Sequence, residues 1–290
     1  MAGRYECDLY CKTVTNGTQY LIRTNLANGQ KSLRARSAQT ETIYTSFSDR
    51  KRDAEDRIKK LSHALAVQQR MNRALRVGRA PAIVIDLLNA MDKAAVSEHF
   101  TVVGTHALYA YEAAAGVRIE SGALATQDVD FLVDTRKRLR LATQLRKLDQ
   151  SILSILRKVD SSFRIKGAQS YSAVNDSGFA VDILRCEVEE DDPHPMKLND
   201  AEDEFWVVPA RHANKLINAP LFSAVVVSAA GHMARMNTIH PSVFMDFKRW
   251  LAVQASREPI KRSRDLLQAT VVEQLLQQYL PQYASALKEG

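Results

Sequence analysis

Two aspartates one residue apart, in Thr126-Gln127-Asp128-Val129-Asp130-Phe131-Leu132-Val133-Asp134, have the types and spacing for metal chemistry. Successive side chains of a β-strand point to opposite faces, so Asp128 and Asp130 project to one side while Val129 and Phe131 pack on the other. Two carboxylates held together repel unless a cation joins them, and hard oxygen ligands suit magnesium or manganese. Asp182 in Phe179-Ala180-Val181-Asp182-Ile183-Leu184-Arg185 fits as a third acid, because its apolar neighbours take the opposite face of a second strand. Three carboxylates can hold two ions, which together would activate an attacking hydroxyl and stabilise a departing pyrophosphate.

Gly104-Thr105 supplies the complementary piece. A glycine at a strand-to-helix turn lets the backbone approach a phosphate, and Thr105 can cap the helix or donate to that phosphate. Lys248 in Met245-Asp246-Phe247-Lys248-Arg249-Trp250, with Lys261, Arg262 and Arg264, can reach a triphosphate, the plainer reading being a basic helix face. Asp265 pairs most simply with one of these cations. Tyr109 and Tyr111 can stack on a base but read more simply as packing residues, and His106 fits a phosphate contact, an acid, or a surface or capping role. Taken singly these signals are weak: an Asp-x-Asp pair is most often a solvated strand end, and Gly-Thr says less. Their order joins them: strand, Gly-Thr, helix, strand with two acids, later strand with one.

The elements that must position these residues are legible in outline. Up to about Phe47 the chain reads as a small hairpin unit, with β-like runs at Gln19 to Arg23 and Glu41 to Tyr44 and turn signals at Asn16-Gly17 and Asn28-Gly29. A long helix is expected from Ser48 to about Val77, and a second after Pro81, which suits a first helical turn. Phe100 to Val103 reads as a strand, Thr105 to about Ala115 as a helix, Asp128 to Val133 as a strand, and Thr135 to about Val159 as one or two amphipathic helices. Strands are expected at Phe163 to Ala173, Phe179 to Leu184, Phe205 to Val208 and Ala224 to Val227, separated in part by a loop carrying the acidic run Glu187 to Asp192. Helices from Ser242 to Val253 and Ile260 to Gln278 complete the chain, with Pro281 opening a last turn. The implied division is an N-terminal hairpin and helical extension over 1–95, a catalytic domain over 96–240 and a C-terminal helical region over 241–290.

Composition bounds the class. With 46% apolar and 25% charged residues in 290, the chain has enough apolar material for one sizeable core and a smaller satellite. No apolar run reaches bilayer length and the start has no signal-like segment, so a cytoplasmic protein is expected, with no membrane partner. Cys7, Cys11 and Cys186 lack paired or zinc-type spacing and read as free thiols. Forty basic against 33 acidic residues leave a formal charge of +7, which favours polyanions such as nucleic acid or nucleoside triphosphates.

At these motifs the chain resembles the nucleotidyltransferase superfamily that includes DNA polymerase beta. Val102-Val103-Gly104-Thr105-His106-Ala107-Leu108 followed by the Asp128 strand, the upstream Val77-Gly78-Arg79-Ala80-Pro81 and the downstream His240-Pro241-Ser242-Val243-Phe244 and Lys261-Arg262-Ser263-Arg264-Asp265 are similar to an uncharacterised bacterial nucleotidyltransferase-like family over most of the chain. The resemblance implies an α+β fold, a polymerase beta-like mixed sheet with flanking helices. It implies Asp128, Asp130 and Asp182 as catalytic metal ligands for Mg2+ or Mn2+, and Gly104, Thr105 and Lys248 at a nucleoside triphosphate. Thr105 stands where many relatives carry Ser, which keeps the hydroxyl. The net positive charge and a likeness to nucleotidyltransferase toxins of bacterial defence systems suggest an RNA acceptor, with a protein or small-molecule acceptor left open, and an antitoxin or regulatory protein joins the expected partners. The expected activity is transfer of a nucleoside monophosphate to an acceptor hydroxyl. The alternatives are a non-catalytic nucleotide- or partner-binding module on the same fold, and a glycosyltransferase, which leaves Gly-Thr unexplained.

Overall fold

The computed structural model describes residues 7–14, 17–25, 29–166, 169–186, 196–198, 206–210 and 212–284. They fall into two compact units, Met1–Met71 and Asn72–Gly290.

In the first unit, β1 (Cys7–Thr13), β2 (Gln19–Asn25) and β3 (Gln30–Ala35) form an antiparallel sheet in the order β1-β2-β3, followed by α1 (Ala38–Ala74), whose residues from Asn72 belong to the second unit. Gly17 and Gly29 stand just before β2 and β3, while Asn16 and Asn28 lie outside the described residues. The strand expected at Glu41 to Tyr44 is instead the first turns of α1. Its β-branched residues favour a strand, but Ser37 and Thr40 exchange hydrogen bonds, Ser37 N donating to Thr40 Oγ1 at 2.8 Å and Thr40 N to Ser37 Oγ at 3.3 Å. That reciprocal cap starts the helix ahead of the β-branched run.

The second unit is an α+β fold built on a nine-stranded mixed sheet. Its elements run α2 (Ala82–Lys93), β4 (Phe100–Val103), α3 (Leu108–Ala115), α4 (Ser121–Leu124), β5 (Asp128–Val133), α5 (Arg138–Lys147), α6 (Ile152–Arg157), β6 (Arg164–Lys166), β7 (Gln169–Val174), β8 (Ala180–Arg185), β9 (Met196–Lys197), β10 (Trp206–Pro209), α7 (Ala213–Ile217), β11 (Leu221–Val227), β12 (Met233–Ile239), α8 (Pro241–Ala252) and α9 (Pro259–Gln278). The sheet order is β11-β12-β4-β5-β8-β10-β9, and β8 also pairs with β7, which pairs with β6. The first half of β8 faces β7 and its second half β10, because the registers stop at Asp182 and begin at Leu184.

Strand β12 was not expected, since Met, Ala, Arg and Asn favour strands poorly. Its pairing with β11 over seven residues, Leu221↔Ile239 to Val227↔Met233, imposes the strand, and Thr238 joins it to β4 by donating to the Val102 carbonyl at 2.7 Å. The expected helix at Thr105 begins one turn tighter, as a 3-10 turn over Gly104–Ala107. Phe205 and the acidic run Glu187 to Asp192 lie outside the described residues. Cys11 is an exposed free thiol, and among the described residues no helix is long and apolar enough to cross a membrane.

Helix α3 is tied in place by a partly buried ion pair. Arg79 grips Glu112 with two nitrogens, Nε to Oε1 at 3.1 Å and Nη2 to Oε2 at 2.6 Å, and Glu112 Oε2 also accepts from Ile119 N at 2.8 Å. The Arg79 guanidinium reaches the Ile119 carbonyl as well. Breaking such a pair from one side strands the other charge. Arg79→Met is therefore expected to lower unfolding free energy by about 3 kcal/mol, read by denaturant titration; an unchanged midpoint would mean that Glu112 is solvated.

Candidate active site

The three acids are brought together by strand register. Asp130 of β5 stands opposite Asp182 of β8 in the parallel pair, with Val103 of β4 on one side of that row and Ser172 of β7 on the other. Asp128 lies two residues back along β5, on the same face. One oxygen from each of Asp128, Asp130 and Asp182 lies within 4.8 Å of the others, and all three residues are half-buried.

This proximity is costly for a chain without a cation. Burial, and then the charges of Asp128 and Asp182, push the Asp130 carboxyl up to about 7. Burial and Asp128 also raise Asp182, opposed by a hydrogen bond from Ser172 and by Lys166. The Oδ1 atom of Asp182 is buried and has no hydrogen-bond partner. Asp128 accepts from the hydroxyl of Thr126. Clustered oxygens, one of them unpaired and two carboxyls raised, fit a divalent cation, which Asp128, Asp130 and Asp182 could hold.

Gly104 makes room for this arrangement. It holds a left-handed φ of +69°, and a Cβ there would lie 2.3 Å from Asp130 Oδ2. Thr105 is buried, and its hydroxyl accepts from Gln268 Nε2 of α9 at 3.0 Å; the same nitrogen donates to the Ala123 carbonyl at 2.7 Å. No side chain caps this 3-10 turn. Thr105 is thus engaged from behind by a buried amide.

Lys248 is not on a solvated basic face: it is 3% exposed. Its Nζ donates to Asp265 Oδ1 at 2.9 Å, and Arg257 Nε donates to Asp265 Oδ2 at 2.8 Å, so one fully buried acid is shared by two cations. Burial pulls the Lys248 ammonium below its ordinary value, opposed by Asp265 and, further off, Asp130. A cleft of about 360 Å³ is lined by Gly104, Asp130, Lys248 and Arg257 together with Leu132, Leu184, Leu216, Phe247 and Trp250.

The other residues singled out by sequence lie elsewhere. His106 is neither surface nor cap: burial holds its imidazole down at about 4, opposed by the Asp128 charge, its Nδ1 is buried without a hydrogen-bond partner, and the ring meets Phe179 edge-on at 6.1 Å. Tyr111 is a packing residue, donating to the Ile239 carbonyl at 2.8 Å from within the core. Lys261 pairs with Glu258, Arg262 bonds to the carbonyls of Arg257 and Ala255, and Arg264 bonds to that of Ala125. None of these three lines the cleft.

A family model described as nucleotidyltransferase matches residues 82–289, a span that takes in every one of these site residues. The chain belongs to this nucleotidyltransferase family. Searches of curated proteins and of solved structures find no match. Within this nucleotidyltransferase unit, sequence reasoning passed over Arg257, Gln268 and the aromatic pair Phe247 and Trp250, which stack with centroids 5.8 Å apart. One signal was available: Asp265 and Gln268 fall on the buried stripe of α9 with Ala269, Val272, Leu275 and Leu276, where polar side chains must have partners.

Two outcomes follow from the strain at Asp130. A folded carboxyl raised above its unfolded value near 3.8 means that the native chain binds more protons between that value and about 7, so its contribution to stability is lost as pH rises through this window. Metal-free wild type is expected to melt lower at pH 8 than at pH 5.5 relative to Asp130→Asn. The variant itself should gain about 2–4 °C at pH 8 for each kcal/mol of repulsion relieved. Parallel pH profiles for the two proteins would contradict this. Gly104→Ala, with its Cβ driven into Asp130, is expected to displace that carboxylate and weaken divalent-ion affinity at least about 10-fold, measured by manganese titration; unaltered affinity would show that the turn yields freely.

Proposed function

We propose that this chain is a metal-dependent nucleotidyltransferase of the polymerase beta-like fold, moving a nucleoside monophosphate from a nucleoside triphosphate to an acceptor hydroxyl with release of pyrophosphate. The observation that carries the reading is the row of Asp130 and Asp182 in register, with Asp128 beside them, where Asp130 lines a cleft that also holds two cations. Family membership and the mixed sheet support it. In this reading residues 96–240 form the catalytic part, and 241–290 a helical part that supplies Lys248.

Asp128, Asp130 and Asp182 would hold Mg2+ or Mn2+. Bound there, such ions lower the pKa of the acceptor hydroxyl and neutralise charge on the triphosphate and the leaving pyrophosphate. Asp265 carries one negative charge against the two positive charges of Lys248 and Arg257, which leaves a net positive charge to meet phosphate oxygens. The backbone at Gly104-Thr105 lets a phosphate come close, and Gln268 keeps that turn in place through Thr105. Leu132, Leu184, Phe247 and Trp250 offer an apolar wall with aromatic faces, suited to a base. RNA is the proposed acceptor, on the chain's positive charge.

The direct test is transfer of label from each α-labelled nucleoside triphosphate to a total RNA pool with Mg2+ or Mn2+. Wild type is expected to label RNA, and Asp130→Asn to label it at least about 100-fold more slowly, as loss of a metal-bound group does. Labelled protein instead of RNA would move the acceptor. No label in any acceptor, from folded protein with every triphosphate, would favour a binding module without turnover.

A further inference from the structure

The positive charge of the chain is not spread evenly. The unit Met1–Met71 carries 13 Lys and Arg against 7 Asp and Glu, while the remainder carries 27 against 26, so +6 of the formal +7 belongs to the smaller unit. That unit also precedes the nucleotidyltransferase match, which begins at residue 82. Its sheet has few buried residues, Leu21 and Ile22 of β2 being the apolar ones, and all of β3 is exposed.

The register concentrates the charge further. Arg23 of β2 stands directly opposite Lys31 of β3, and both are exposed. Facing residues of an antiparallel pair hold their Cβ atoms about 5 Å apart, and like charges so placed destabilise the sheet. Among the described residues neither has an acidic partner. Arg34, also exposed, stands opposite Leu21, two residues before Arg23 on β2, because the register skips Leu33, and so it shares the face of Arg23 and Lys31. Arg23 pairs with Leu9 on its other side, so it faces away from Asp8, whose carboxylate meets Lys51 of α1 at 3.1 Å. That acid is thus spent on the opposite face, and Glu41, nearest in sequence to Lys31 and Arg34, is taken by Arg36. A polyanion with charges a few ångströms apart relieves the Arg23 and Lys31 repulsion, and one nucleic-acid strand carries a phosphate about every 3.4 Å of helix rise. A bilayer fits less well, because Ser32 and Arg34 border the only large apolar side chain of β3, Leu33.

We infer that the sheet β1-β2-β3 is a nucleic-acid-binding surface that grips the phosphodiester backbone through Arg23, Lys31 and Arg34. This stands apart from the transferase reading. Binding is measured without metal or triphosphate, so a chain that transfers no label can still show it.

The experiment is fluorescence anisotropy of the full chain with a 20-nucleotide RNA of mixed sequence, the same sequence as DNA, and vesicles with one-third anionic lipid, at salt concentrations from 50 to 200 mM. Both nucleic acids are expected to bind with affinity falling steeply with salt. The triple variant Arg23→Gln, Lys31→Gln, Arg34→Gln should bind at least about 10-fold more weakly at 50 mM, with the slope of log K against log salt reduced by about 2, at roughly 0.7 per single-strand contact. The charge-keeping variant Arg23→Lys, Arg34→Lys should bind like wild type. Lys93→Gln, Lys147→Gln, Lys158→Gln, which removes three exposed cations from the other unit, should leave both affinity and slope unchanged. The inference is overturned if wild type does not bind at 50 mM, if the two glutamine triples lose affinity equally, or if vesicles compete the nucleic acids away. The first of these outcomes would leave Lys31 and Arg34 as guards of an exposed edge strand.

Discussion

Asp130 and Asp182 face each other across two parallel strands, and the organisation of the site answers to the repulsion between them. Register alone makes the contact. A slip of one residue in either strand would send its acid to the other face and break the set. The pairing of β5 with β8 is held from both sides, by β4 through Val103↔Asp130 and by β7 through Ser172↔Asp182, so the acids sit within a sheet rather than on a movable loop. Left to itself, the row relieves its charge by holding a proton, which is why burial and neighbouring acids raise Asp130 to about 7. A divalent cation relieves it better.

The surrounding elements work on the same problem at longer range. Gly104 keeps clear the volume that Asp130 occupies. Helix α9 sends two fully buried polar side chains to the site, Asp265 to gather Lys248 and Arg257, and Gln268 to hold Thr105. These are one helical turn apart, so a single rigid face sets both the cations and the glycine turn. The Lys248 ammonium lies close enough to Asp130 for their charges to interact, and the cluster brings positive charge to an otherwise acidic site.

The acids were legible in the sequence because strand periodicity is two: Asp128 and Asp130 alternate with Val129 and Phe131, and Asp182 alternates with Val181 and Ile183. Strands β4, β5 and β8 and helices α2, α8 and α9 follow from the same kind of patterning. Strand β12 was not legible, as its residues favour no strand and only β11 and β4 make it one. The start of α1 was hidden because β-branched residues outweighed the Ser37 and Thr40 cap. At the site, the partners of Lys248 and Thr105 depend on packing between α8, α9 and the glycine turn, more than 100 residues apart in the case of Gln268 and Thr105. The single hint was polar residues on the buried stripe of α9.

The claim on which the account rests is that the three-acid row is a cation site that exchanges protons for metal. Calorimetric titration of manganese into the metal-free chain, in two buffers of different ionisation enthalpy, measures both affinity and proton release. The account predicts binding that releases protons at pH 6.5, where Asp130 is largely protonated, and releases almost none at pH 9, with Asp130→Asn binding at least about 100-fold more weakly. Manganese binding that ignores the Asp130→Asn change, or that releases no proton at pH 6.5, would contradict it.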